Sequence, residues 1–170
     1  MANILTTDEA SRVVMVDPTD EKLADILPQV DAYIREATGW DWVSDDPIRP
    51  EAKAAARLHL ALIYDLGVMQ PSQINILRSG LISSLSQLET IAVGLQAVQN
   101  VNKAMYSEDM KVYLESGMLG LNLLNYNRLS HASKYSVIEN ILTNRPSQGY
   151  TNMDDIQAAL DTAVKVVMPS

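Results

Sequence analysis

The sequence predicts an all-α protein. Residues 1–89 read as a small helical bundle, and residues 90–170 as a mostly helical C-terminal extension with room for one short extended arm. Three observations predict this. Apolar residues recur at steps of three and four through most of the chain. Capping residues stand where those periodic segments begin, and Gly or Pro stands near their ends. The core must be filled by Leu, Ile, Val, Ala and Met, because the 170 residues contain no Phe and only 5% aromatics. Those side chains suit helix packing better than a β-sandwich.

The elements follow in order. Thr6 with Glu9 three residues on is a capping box, so a short helix starts there and fades near Val16. Asp17-Pro18 is a turn, and Thr19 is placed to cap the next helix, with Asp20 and Glu21 at its positive end. Leu23, Ile26, Leu27, Val30, Ile34 and Ala37 form its buried stripe. Pro28 lies inside the pattern and is expected to bend the helix or shift its start. Gly39 is its C-terminal cap. Trp40 to Pro50 is a loop, and Pro50 occupies the first-turn position that proline favours. Glu51 to Leu66 is the best helix in the chain by propensity, closed by Gly67.

A further helix begins near Ser72, with Ile74, Leu77, Leu81, Leu85 and Leu88 in register, and the spacing returns at Leu95, Val98 and Met105. Ser107 is placed to cap a short helix through Leu114. Gly117 and Gly120 interrupt the pattern, and Leu121 to Tyr126 alternates in part, as an arm or strand would. Helix resumes over Ser130 to Leu142. After a loop containing Pro146 and Gly149, Asn152 caps a final helix striped with Ile156, Leu160, Ala163, Val164 and Val167.

Composition limits the function. A formal net charge of −8 repels phosphate and anionic lipid, which argues against a nucleic-acid grip and is compatible with a channel along which DNA slides. There is no Cys, so disulfides and thiolate metal sites are excluded. Met1 to Ala10 lacks the pattern of a secretory signal. The weakly charged run Ser79 to Asn102 is rich in Ser, Gln and Asn and reads as too polar to cross lipid. Its shortage of charge suits a core or an interface.

The order of features in the first half resembles the small head–tail connector (adaptor, or head-completion) proteins of tailed bacteriophages. The residues that carry the resemblance are Leu5-Thr6-Thr7-Asp8-Glu9-Ala10, then Val16-Asp17-Pro18-Thr19-Asp20-Glu21, then Ala32-Tyr33-Ile34-Arg35-Glu36-Ala37-Thr38-Gly39. After a loop come Pro47-Ile48-Arg49-Pro50-Glu51-Ala52-Lys53-Ala54-Ala55 and His59-Leu60-Ala61-Leu62-Ile63-Tyr64, and Ile76 to Leu88 is similar to the family's last short helix. The resemblance implies a structural virion protein, assembled in the host cytoplasm and located at the head–tail junction. It implies a homo-oligomeric ring, commonly twelvefold, that binds the portal protein above and a tail-completion or tail-terminator protein below. Packaged DNA would pass through without sequence-specific binding. No enzyme activity, cofactor or membrane contact is implied. The alternatives are a tail-completion protein of the same particle and a helical DNA-binding packaging or regulatory factor; the second needs a basic recognition helix, and no helix here is rich in Lys and Arg.

No residue pattern points to catalysis. His59 lies on the most hydrophobic helix and reads as a packed or interface histidine. Ser130 and His131 are adjacent, which is wrong for a nucleophile and its base. Asp45-Asp46 and Asp154-Asp155 lack the ligand spacing of a calcium loop. No Gly-rich phosphate cradle is present. The candidate interface residues are Trp40 and Trp42, which either anchor a neighbour or cap the core, and Ile156, Leu160, Val164 and Val167, the stripe of the final helix.

Overall fold

A computed structural model describes residues 3–65 and 67–168. Among the described residues there are eight α-helices, one 3-10 turn and no strand. The helices are α1 (Thr7–Val14), α2 (Glu21–Thr38), α3 (Pro50–Tyr64), α4 (Pro71–Lys103), α5 (Ser107–Glu115), α6 (Leu124–Asn127), α7 (His131–Thr143) and α8 (Met153–Val167). The protein is all-α, as its periodicity requires. The chain forms two compact units, residues 1–92 and 93–170, and α4 contributes to each. Leu66, read as the end of α3, lies outside the described residues, as do Met1, Ala2, Pro169 and Ser170.

In the first unit, α1, α2 and α3 pack on one another. The Thr6 hydroxyl accepts from the Glu9 N–H, and the Glu9 carboxylate accepts from the Thr6 N–H, which completes the capping box. α2 keeps Pro28 within its length and ends on Gly39 at φ +70, a left-handed conformation that favours glycine. Its cap is Asp20 rather than Thr19, because Asp17 takes both the N–H and the hydroxyl of Thr19 at 2.9 and 2.6 Å. α3 buries Ala52, Ala55 and Ala56 completely. Three alanines on one face let α1 and α2 approach closely, and their larger side chains (Leu23, Leu27, Val30, Ile34) fill the space. Ala37 is exposed; the buried residue of that turn is Thr38.

The helix expected from Ser72 and the periodic segment beyond Glu89 are one helix, α4, of 33 residues. By length and composition alone, α4 is also long and apolar enough to cross a membrane. Its first-unit part buries Leu81, Leu88 and Ala92 on one side, and its second-unit part buries Ala97, Val98 and Val101. Much of the remainder faces solvent, including Ile76 and Ile82, which are 72% and 68% exposed.

The second unit closes the last turns of α4, with α5, α7 and α8, around Val98, Val101, Met110, Leu114, Tyr126, Val137, Ile138, Ile141, Ile156 and Leu160. Fully burying one such aliphatic side chain contributes about 1.5–3 kcal/mol. The extended arm expected over Leu121 to Tyr126 is not formed. The side-chain amide of Gln157 on α8 accepts from the Asn122 N–H at 2.7 Å, and the Asn122 side chain accepts from the Leu124 N–H. These bonds satisfy the backbone that a partner strand would otherwise pair with. α6 then forms a single turn that buries Tyr126. Ser107 is the first residue of α5 and Tyr106 stands at its cap, with no side-chain bond to the helix end. Asn152 caps α8 as expected, and Ser130, read as the first residue of its helix, is the cap of α7; each side chain accepts an N–H three residues on.

Candidate functional site

In the first unit the loop after α2 is organised by its tryptophans. Trp42 opens the 3-10 turn and is 1% exposed. Its Nε1 donates to the Thr38 hydroxyl at 2.7 Å, and that hydroxyl donates to the Ile34 carbonyl. Every polar atom of this chain of bonds is satisfied inside the protein, so Trp42 is a core residue of its own unit and not an interface anchor. Trp40 is partly exposed, and its Nε1 points to Asp45 at 3.4 Å. Asp45 also accepts from Arg49 at 3.2 Å. A shallow cavity of about 510 Å³ on the same unit is lined by Asp65, Val68, Met69, Gln73, Ile76 and Leu77.

Glu9 joins α1 to α3. It accepts from Lys53 at 2.9 Å and lies 3.8 Å from Arg57. The Thr6 backbone N–H and then Lys53 hold the Glu9 carboxyl below its ordinary pKa. Asp31 on α2 accepts from the Ile4 N–H at 3.1 Å, and burial raises its pKa nonetheless. His59 on α3 is 8% exposed and stacks on Tyr33 with ring centroids 4.0 Å apart. Its Nδ1 is buried without a hydrogen-bond partner among the described residues, and burial lowers its pKa. This environment holds imidazole in its neutral form.

In the second unit, Ile156 and Leu160 are 0% and 1% exposed, Val164 is 7%, and Val167 packs against the same cluster. The stripe of α8 is therefore core, covered by α7 and its neighbours rather than left for a partner. The end of α4 is gripped by the 145–150 turn. Asn102 donates from Nδ2 to the Tyr150 carbonyl at 2.9 Å and accepts from the Tyr150 N–H at 2.7 Å. Arg145 donates to the Val101 and Ala104 carbonyls, both at 2.9 Å. Val101 lies in the last turn of α4, where its carbonyl also accepts from the Ala104 N–H at 3.3 Å, and Ala104 directly follows the helix. Gly149, at φ +80, is where the turn passes Asn102. A Cβ there would lie 2.7 Å from the Asn102 amide carbon.

A polar cluster flanks α5. The Tyr126 hydroxyl donates to Glu115 at 2.8 Å, and Lys111 donates to the same carboxylate at 2.8 Å. Burial pushes Glu115 up, but the bonds from Lys111 and Tyr126 outweigh it and leave the carboxyl below its ordinary pKa. Burial and then Glu115 raise the Tyr126 phenol far above its ordinary value. Lys111, Glu115 and Tyr126 are thus paired with one another. The Ser130 hydroxyl is bonded to Ser133, and His131 stacks on Tyr135. Among the described residues no group of three or more His, Asp or Glu side chains comes together to hold a metal.

No family model matches the chain, and no solved structure matches it. A stretch of 72 residues is 39% identical to part of a gellan lyase from Bacillus sp.. That stretch is 42% of this chain and 3% of the gellan lyase. The match is to a small piece of a much longer protein.

Proposed function

We propose that this chain is a non-catalytic, structural subunit of a bacteriophage head–tail connector. It forms a ring below the portal, joins head to tail, and lets packaged DNA pass. The observation that supports this most is the ordered helix grammar of the first unit: a capping box at Thr6 and Glu9, an acid-capped second helix closed by Gly39, and a third helix opened by Pro50. The ring would close by heterologous contacts, one face of a subunit meeting a different face of the next. The acidic balance favours a lumen that is neutral or negative, so that DNA slides rather than adheres.

The test is affinity capture of the tagged chain from infected or prophage-induced cells, with partners identified by mass spectrometry. Portal and tail-completion proteins in the eluate are the expected result. An eluate with no virion protein overturns the reading.

The 72-residue match favours a second reading for part of the chain. A segment shared with 3% of a much longer protein is read here as a module that recurs in more than one protein. In this chain such a module would be one part of the structural subunit. Separate expression of residues 1–92 and of residues 93–170 gives a cooperative thermal transition for a unit that is a module; molten, non-cooperative products from both count against it.

A further inference from the structure

The first unit leaves one face of α4 without a partner, and that face is self-complementary in charge. Asn75, Arg78, Ile82, Ser86 and Glu89 are all exposed. At 100° per residue they fall within about 80° of one another, so they form one stripe. The stripe has two charges of opposite sign, eleven residues apart, which is three turns and roughly 16 Å along the axis. Arg78 and Glu89 lie on the same edge of it, within about 20°. Neither has an ion-pair partner among the described residues. Ile82, 68% exposed, lies between them.

We propose that this face binds a second copy of the chain, with the two α4 helices antiparallel about a two-fold axis near Ser83 and Ser84. A two-fold axis across an antiparallel helix pair brings the same edge of both stripes to the same side. It also carries a residue above the midpoint to a position below it. Arg78 of each copy therefore meets Glu89 of the other, and the two Ile82 side chains meet near the centre. A parallel pairing in register sets Arg against Arg and Glu against Glu, so the charges select orientation as flanking charges do in coiled coils. A lipid surface would leave both charges unmatched and Asn75 and Ser86 against hydrocarbon. The contact is isologous, distinct from the heterologous contacts of a ring, and it does not rest on the connector reading. One helix face falls short of the ~800 Å² per partner of a stable interface, so the dissociation constant is expected in the upper micromolar range.

The test is sedimentation equilibrium on the full-length chain from about 10 µM to 1 mM, a range that brackets the expected constant. A monomer–dimer equilibrium is expected. Arg78→Glu and Glu89→Arg each turn two attractive pairs into two repulsive ones, because the symmetry repeats the change, and each should weaken dimerisation about tenfold or more. Mixing the two variants should restore it, since each then supplies what the other needs. Far-ultraviolet circular dichroism verifies that these exposed substitutions leave the helices intact. A chain that stays monomeric to about 1 mM, or that associates regardless of either reversal, overturns the proposal; so do two variants that fail to rescue each other on mixing. Co-sedimentation of a monomeric chain with phosphatidylcholine vesicles, lost in Ile82→Asp, would overturn it in favour of a lipid surface.

Discussion

Replacing Asn102 with Ala should weaken the second unit by about 2–3 kcal/mol. The figure follows from the two bonds that the side chain makes to Tyr150, at 2.9 and 2.7 Å. Both peptide groups lie in a partly buried turn, and a buried group left without its partner costs about 1–3 kcal/mol. Some water reaches the turn, which keeps the sum below the upper limit for two groups. For a unit of this size the thermal midpoint falls by roughly 4–8 °C per kcal/mol, so a drop of roughly 10–20 °C is expected. Gly149→Ala supplies the control. It adds left-handed strain of about 1 kcal/mol and places a methyl group against the Asn102 amide. In the Asn102→Ala background that collision is absent and only the strain remains. A double-mutant cycle followed by urea titration should therefore give a coupling of about 1 kcal/mol or more, with the double variant more stable than the sum of the single losses implies. Strict additivity, or a loss below about 0.5 kcal/mol for Asn102→Ala, would refute the claim that this amide holds the turn.

Three further outcomes are expected. Burial lowers the His59 pKa, so the unfolded chain takes up a proton that the folded one resists; stability is complete above the ordinary histidine value of about 6.5 and declines as pH falls below it. Thermal melts between about pH 5.5 and 7.5 should show this slope, and His59→Phe should flatten it. Thr6→Ala removes the acceptor for the Glu9 N–H and should cost about 1 kcal/mol, measured by chemical denaturation. Trp42→Phe should lower stability by about 1–2 kcal/mol through the lost bond to Thr38 while leaving self-association in the ultracentrifuge unchanged; an effect on association alone would return Trp42 to an interface.

The sequence made the helices legible because their signals are local. A capping box, a Gly at a helix end or a Pro at a helix start operates across three or four residues, and the Thr6, Gly39, Pro50 and Asn152 positions could be read directly. The choice between Asp20 and Thr19 as cap could not, since it turns on which acceptor Thr19 finds first. Partners distant in sequence were invisible. Nothing in the local pattern near Asn102 announces Tyr150, 48 residues later, or links Asn122 to Gln157. The stripe of α8 shows the same limit in another form. Periodicity states which side of a helix must be dry, but not whether its own unit or another molecule covers it. Here α7 and the rest of the cluster cover Ile156, Leu160 and Val164. The alternation over Leu121 to Tyr126 misled because two features of a strand were present, the spacing and the Asn residues between apolar ones, while the side-chain amide that takes the place of a neighbouring strand lies on α8.

The grip on the end of α4 also bears on the order in which the protein can be finished. Val101, Asn102 and Ala104 are synthesised more than forty residues before the Arg145 and Tyr150 groups that complete them. At translation rates of roughly 5–20 residues per second, these groups wait several seconds for the Arg145 and Tyr150 partners that complete them, and water stands in meanwhile. The second unit cannot close from its N-terminal side alone; its final turn is locked only when nearly the whole unit has left the ribosome. A nascent chain stalled before residue 145 should thus remain open to protease at Lys103, while one stalled well past residue 150 should be protected there.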